Sequence, residues 1–405
     1  MTLARSIRSV LRRDVLLICA VIFCADLVSG IVSPTFSLYA KGLGASLTLI
    51  GVLSSTAGLT QLLASMPTGL QSDRVGRKPV LVFGLLAFAA ATAVFALASS
   101  PWLLFPGRVL SGLAAVSTFS IGAAYVGDII RPEERGIAFG LYASSMGLGF
   151  AIGPLIGAAV ASWGGIPASY LTASALGVLG ASIAAWGLKD TRLARPGVKS
   201  QRVAPAWGNM GLLLRNPALL AGSMGNLLTS VTFGGMITNF FPLYVAQLGG
   251  TQAAVNSMFS ARAFGSTAAR LPTGVLSSRL TGWLTIGLAL TLILGVIVAM
   301  STTTSLAWLG VLLVIEGIGY GAFLTAGQAF VAEHSTPTTR GTAIGVYSTA
   351  GSIGSTLSPL LLGAIADIFG VRAVILTTAV LTALGLVTIG VMYARNRRLS
   401  EPARI

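Results

Sequence analysis

The chain has 405 residues, of which 54% are hydrophobic and 9% charged, a balance that excludes a water-soluble globular domain. Its formal net charge of +15 would suggest nucleic acid as the partner of a soluble protein, but here the basic residues lie between long apolar runs and point to a lipid bilayer instead. Cys19 and Cys24 share the first apolar run, which excludes a disulfide framework and a cysteine metal site.

Twelve runs are long enough to cross a ~30 Å hydrocarbon core. They lie at roughly 14–39, 47–71, 79–99, 102–127, 136–161, 167–188, 218–245, 252–277, 283–301, 306–331, 341–366 and 371–394. They predict an all-α membrane protein of twelve transmembrane helices, and fifty glycines suit close helix–helix approach in lipid. The first run is too long for a cleavable leader and carries Asp26 at its middle, so it reads as span 1. Arg5, Arg8, Arg12 and Arg13 precede it, as a topology anchor or a short interfacial helix.

Span 2 runs into a charged loop, Pro67-Thr68-Gly69-Leu70-Gln71-Ser72-Asp73-Arg74-Val75-Gly76-Arg77-Lys78-Pro79. Gly69 would let span 2 approach a neighbour, Asp73 would end the helix, and Gly76 would permit a tight turn. Arg77 and Lys78 set topology and can pair with Asp128, the acid ending span 4. Arg108 stands inside span 4 in Arg108-Val109-Leu110-Ser111-Gly112, and a buried guanidinium needs an acid, a carbonyl or water beside it. In span 5, Gly149, Gly153 and Gly157 recur at i, i+4 and i+8 and clear one helical face, while Pro154 removes a backbone hydrogen bond.

Lys189 to Arg215 is the one long hydrophilic stretch, charged and broken by Pro196 and Pro205, with a short surface helix expected near Trp207–Leu214. It divides the chain into bundles 1–188 and 216–405 with a cytoplasmic linker, 189–215. Six further spans follow. Glu316 lies within span 10 and Arg262 within span 8; intramembrane charges are costly and read as functional. Arg270 should snorkel to the interface, and His334, at the end of span 10, reads as a solvated loop residue. Gly317-x-Gly319-x-Gly321 imitates a dinucleotide fingerprint, but it sits mid-span with no strand before it and reads as helix packing. No metal-ligand spacing, phosphate loop or nucleophile elbow occurs, so no enzyme and no cofactor are expected.

The charge distribution fixes orientation. Of 26 Lys and Arg, only Lys41 and Arg372 fall in or beside outer loops, and Arg108, Arg262 and Arg270 fall within spans. All the others share one side with both termini, which the positive-inside rule makes the cytoplasm; the expected location is the plasma (inner) membrane. The chain also repeats itself at an offset of 205 residues, as Pro67 and Pro272 show. The same offset pairs Leu38-Tyr39 with Leu243-Tyr244, Gly44 with Gly249, Gly122 with Gly327, Tyr142 with Tyr347 and Pro154 with Pro359. The copies are chemically unequal: Ser278 replaces Asp73, and Ser111 answers Glu316.

Two six-span halves, a long basic central loop and Gly69-x-x-x-Asp73-Arg74-x-Gly76-Arg77-Lys78 resemble the major facilitator superfamily over essentially the whole chain. The resemblance implies two pseudo-symmetric six-helix bundles, with Gly69, Asp73, Arg74, Gly76, Arg77 and Asp128 forming a cytoplasmic gate. Gly149-x-x-x-Gly153-Pro154-x-x-Gly157 is similar to the motif of the family's antiporters, chiefly proton-coupled drug exporters, with Ala158 in place of the usual second glycine of its ending. Arg108 resembles the family's proton-coupling arginine, with Ser111 in place of the usual Gln.

On this reading the protein is a monomeric secondary transporter exporting a small amphipathic compound in exchange for protons. Asp26, Arg108 and Glu316 are the proton-coupling candidates. The candidate substrate-binding set is Asp26, Tyr142, Asn226, Asn239, Phe240, Arg262, Glu316, Tyr320, Gln328 and Tyr347. A proton-coupled uptake permease or sugar exporter shares everything but the span 5 argument. A non-transporting receptor or lipid-handling protein would leave Asp26, Arg108 and Glu316 without a purpose.

Overall fold

A computed structural model describes residues 12–131, 134–190, 216–277, 280–336 and 339–400. Arg5, Arg8, Ser278 and the linker beyond Asp190, with its expected surface helix, lie outside the described residues. Among the described residues every regular element is helical. Lipid imposes this, because a helix satisfies its own backbone donors and acceptors where no water can.

Span 1 comprises α1 (Arg13–Val32) and α2 (Phe36–Gly42), span 2 is α3 (Leu47–Val75), and span 3 is α4 (Arg77–Leu97). Span 4 comprises α5 (Leu104–Ala115), a π turn (Val116–Ser120) and α6 (Ile121–Ile129). Spans 5 and 6 form α7 (Arg135–Gly187), two helices meeting at Gly165, where φ is 72°. Span 7 comprises α8 (Pro217–Ser230), a π turn (Val231–Ile237) and α9 (Phe241–Gln247). Then come α10 (Gln252–Ser277), α11 (Gly282–Thr302), α12 (Leu306–Glu333), α13 (Arg340–Phe369) and α14 (Val371–Ser400). Nine helical segments among the described residues are long and apolar enough to cross a membrane unaided, α7 counting once for its two spans. The remaining two of the twelve are span 7, which is interrupted, and α10, which is too polar.

Span 1 departs from the uninterrupted run expected for residues 14–39. Pro34 lacks an N–H, and the helix stops at Val32. The Thr35 hydroxyl donates to the carbonyls of Ile31 and Val32 at 3.1 and 3.3 Å, which caps the break.

The duplication survives as geometry. α2 and α9 begin and end at equivalent residues, and α3 and α10 start 205 residues apart. Tyr39 Oη donates to Ala98 O at 3.1 Å, and Tyr244 Oη donates to Thr303 O at 3.1 Å, again at equivalent positions. Left-handed glycines recur as Gly44 with Gly249 and Gly165 with Gly370.

The chain packs as two compact units. The first takes Met1–Ala45, Thr56–Gln201 and Thr251–Ala263; the second takes Ser46–Ser55, Arg202–Gly250 and Phe264–Ile405. In the first, Phe36, Tyr39, Phe95 and Tyr170 form an aromatic knot with ring centroids 5.3–6.0 Å apart. In the second, Phe323, Phe330, Tyr347, Leu219, Leu228 and Leu290 are buried together, and Trp283 meets Phe330 edge-on. The opening residues of α3 therefore pack with the second unit, while the rest of that helix packs with the first.

Candidate functional site

The charged loop after span 2 is built around Arg77, in the first turn of α4. Its guanidinium meets Asp73 at 2.7 Å and Asp128 at 3.1 Å, and it also donates to Ser72 Oγ. A planar guanidinium with five donors can serve all three acceptors at once, which a lysine cannot. Asp73 is 43% exposed and Asp128 25%, so water screens the Asp73 pair more. Arg74 is exposed. Among the described residues nothing lies within 4 Å of where a Cβ on Gly69 would stand.

Gly76 is required twice over. Its φ of 101° is a left-handed conformation that other residues rarely adopt. The Asp190 carboxylate also occupies the space a side chain would need, its Cγ 2.9 Å from where a Cβ would stand. Asp190 thus belongs to the same cluster, although no sequence pattern links it to the loop.

The second cluster lies inside the membrane-spanning region of the first unit. Asp26 is 6% exposed, and the glycine face of α7 packs directly on its helix. A Cβ on Gly149 would stand 2.6 Å from Phe23 O and 2.9 Å from Asp26 Cβ; one on Gly153 would stand 2.7 Å from Leu27 O. Gly30 of α1 answers with the same closeness to Phe150 O and Pro154 Cδ. The glycines at i, i+4 and i+8 therefore set two backbones against each other at the level of Asp26. Tyr142, also on α7, donates its hydroxyl to Phe119 O at 2.7 Å. That carbonyl belongs to the π turn of span 4, a local widening that recurs at functional places in helices.

Arg108 has a neighbour that the sequence did not announce. Its guanidinium carbon lies 3.4 Å from the centre of the Phe36 ring. In lipid such a ring-face contact is worth up to about 2 kcal/mol.

The second unit holds the remaining candidates except Arg262. Glu316 is fully buried, and Gly319 and Gly321 pack against Ile293 and Ser266, so the glycine-rich run serves packing. Asn226 Nδ2 donates to Tyr347 O at 2.8 Å and joins α8 to α13. Asn239 donates to Gly234 O and Gly235 O at 2.6 and 3.2 Å, satisfying carbonyls freed by the π turn, and accepts from Ser54. Phe240 is fully buried, the Tyr320 ring lies 5.0 Å from that of Phe233 at a tilt of 42°, and Gln328 is exposed. Arg262 is 2% exposed and packs with the first unit. His334 is not the solvated loop residue expected: its Nδ1 is 2.9 Å from Phe330 O and its ring lies 4.3 Å from that of Phe330.

Comparison with known proteins agrees with this architecture. The family profile described as Major Facilitator Superfamily matches residues 18–250 and 225–404. The chain belongs to the major facilitator superfamily. Its members are transporters rather than enzymes, so this protein is a multi-pass secondary transporter. "Inner membrane transport protein YajR" of Escherichia coli is 28% identical over 386 residues, which is 92% of this chain and 83% of that one. "Multidrug resistance protein 2" of Bacillus subtilis is 31% identical over 170 residues, 42% of each chain. A bacterial homologue of the human lysosomal transporter Spinster has the same fold, with a TM-score of 0.80 at 16% identity over 96% of this chain and 97% of that one.

Proposed function

We propose that this transporter exports a small amphipathic compound in exchange for protons, by alternating access between bundles 1–188 and 216–405. The observation that carries the reading is Asp26, buried in span 1 with its Cβ against Gly149, the first glycine of the face that span 5 lays on span 1. A carboxyl there gains or loses a proton when its surroundings change, and the close glycine contact makes any shift of α7 a shift of its surroundings. Partial similarity to a multidrug resistance protein supports export of a drug-like compound.

Within this reading Asp26 carries the proton, Arg108 favours its release, and Glu316 selects the charge of the substrate. Arg77, held by Asp73 and Asp128, locks the cytoplasmic loop in one state of the cycle. The protein works as a monomer in the inner membrane with both termini cytoplasmic.

The test is proton release from detergent-purified protein, screened with tetraphenylphosphonium, chloramphenicol and an anionic dye. Release on adding a compound, absent from the Asp26→Asn variant, is the expected result. Substrate-driven flux that ignores the proton gradient and is unchanged in Asp26→Asn would overturn antiport.

A further inference from the structure

The N-terminus of α3 is completed by a residue far away in sequence. Ser46 Oγ accepts from Leu49 N at 3.0 Å, an ordinary local cap. The two donors before it, the N–H groups of Leu47 and Thr48, go to a single carboxylate 320 and 319 residues further along the chain. It belongs to Asp367, in the last turn of α13, with Oδ1 at 2.9 Å and Oδ2 at 2.7 Å. One anion thus satisfies two otherwise orphaned helix donors and meets the positive end of the helix dipole.

The contact continues down one side of α3. The Thr48 hydroxyl lies 3.5 Å from Gly363 O, Gly51 lies flat on the Pro359 backbone, and Ser54 Oγ donates to Asn239 Oδ1. All these residues pack within the second unit. Three positions differ in the other copy, which keeps the local cap as Thr251 Oγ1 accepting from Ala254 N at 3.2 Å. Ser162 stands at the place of Asp367, Asn256 at that of Gly51 and Phe259 at that of Ser54. On α10, Asn256 is fully buried and, among the described residues, neither its amide atoms nor Ser260 Oγ, one turn on, has a hydrogen-bond partner. Such groups cost free energy while buried and recover it on reaching water.

We propose that Asp367 is a latch: it holds the non-cytoplasmic end of α3 to the second unit, and opening to that side requires its two bonds to break. The α10 end, unlatched and carrying unsatisfied amide and hydroxyl groups, is the end that gives first. The inference rests on alternating access but not on the identity of substrate or driving ion.

The test uses full-length protein with Cys19→Ser and Cys24→Ser, plus one reporter, either Leu53→Cys on α3 or Val255→Cys on α10. Both positions are fully buried, so a membrane-impermeant maleimide added outside reads exposure. Without further change, Val255→Cys should react faster than Leu53→Cys. Asp367→Ala should speed labelling of Leu53→Cys by about threefold to tenfold, the usual worth of a helix cap. Asp367→Asn, which keeps one acceptor oxygen, should fall between. Asp367 is exposed, so neither variant disturbs a core, and gel filtration checks the fold. Equal Leu53→Cys rates for Asp, Asn and Ala at position 367, with Val255→Cys still reactive, would overturn the latch alone. No labelling of either reporter in any folded variant would overturn alternating access and the latch with it.

Discussion

Three glycines on α7 make a graded test of how Asp26 is held. A Cβ on Gly157 would find its nearest neighbour, the Cγ2 methyl of Ile31, at 3.3 Å, with the Ile31 backbone farther off at 3.6 Å. On Gly153 it would meet Leu27 O at 2.7 Å and Gly30 Cα at 2.8 Å, backbone atoms that cannot swing aside. The helices would have to part by several tenths of an ångström, and overpacking of this kind costs about 1–3 kcal/mol. Replacing a mid-helix glycine by alanine returns about 1 kcal/mol through helix propensity. Gly157→Ala should therefore be neutral or slightly stabilising, whereas Gly153→Ala should lose up to about 2 kcal/mol. Gly149→Ala should lose a similar amount and also push on Asp26 Cβ, 2.9 Å from the new methyl. Thermal unfolding of the purified variants measures the first effect. The pH dependence of proton-driven flux in proteoliposomes measures the second, with the midpoint shifted in Gly149→Ala and retained in Gly157→Ala. The reasoning fails if Gly153→Ala unfolds at a higher temperature than Gly157→Ala, or if the two unfold at the same temperature.

Asp128→Asn should slow reconstituted cycling about tenfold, from loss of a charge-assisted bond in a partly buried setting. Asp73→Asn should slow it about threefold because that pair is more exposed; expression of both variants should stay normal, and flux with two-sided accessibility labelling checks them. Asp26→Asn should abolish accumulation against a gradient while leaving pH-independent substrate binding, and a variant that still accumulates substrate using protons would move the role to Glu316. Glu316→Gln should shift preference from cationic to neutral compounds, read by competition with tetraphenylphosphonium. Phe36→Leu should lower the unfolding temperature by removing the ring beneath Arg108, and Phe36→Tyr, which keeps the ring, should not.

What could be read from the sequence was periodic or charged. A fixed offset pairs Tyr142 with Tyr347, and the structure gives both the same niche: a Cβ on Gly122 would stand 3.0 Å from the hydroxyl of Tyr142, and one on Gly327 would stand 2.7 Å from that of Tyr347. Intramembrane charges announce themselves by cost alone, so Asp26, Arg108 and Glu316 stood out without a fold. Contacts joining remote segments left no such trace. Asp190 looks like the first acid of a linker, yet its carboxylate fills the space beside Gly76. Asn239 looked like a cavity residue because polar groups in spans suggest ligands. Its donors instead serve carbonyls released by a π turn, and π turns have no propensity signature to read.

The packing of the first turns of α3 also has a consequence for biosynthesis. Leu47 enters the membrane early, yet the carboxylate that completes its helix is made 320 residues later. At about 5–20 residues per second, that is a wait of roughly 15 to 60 s. Gly51, whose backbone partner is Pro359, waits almost as long. During that interval the end of α3 must rest against lipid, the insertion machinery or a holding factor. An amino-terminal fragment released before span 11 should therefore be degraded faster when made alone than when the remainder of the chain is supplied as a separate polypeptide.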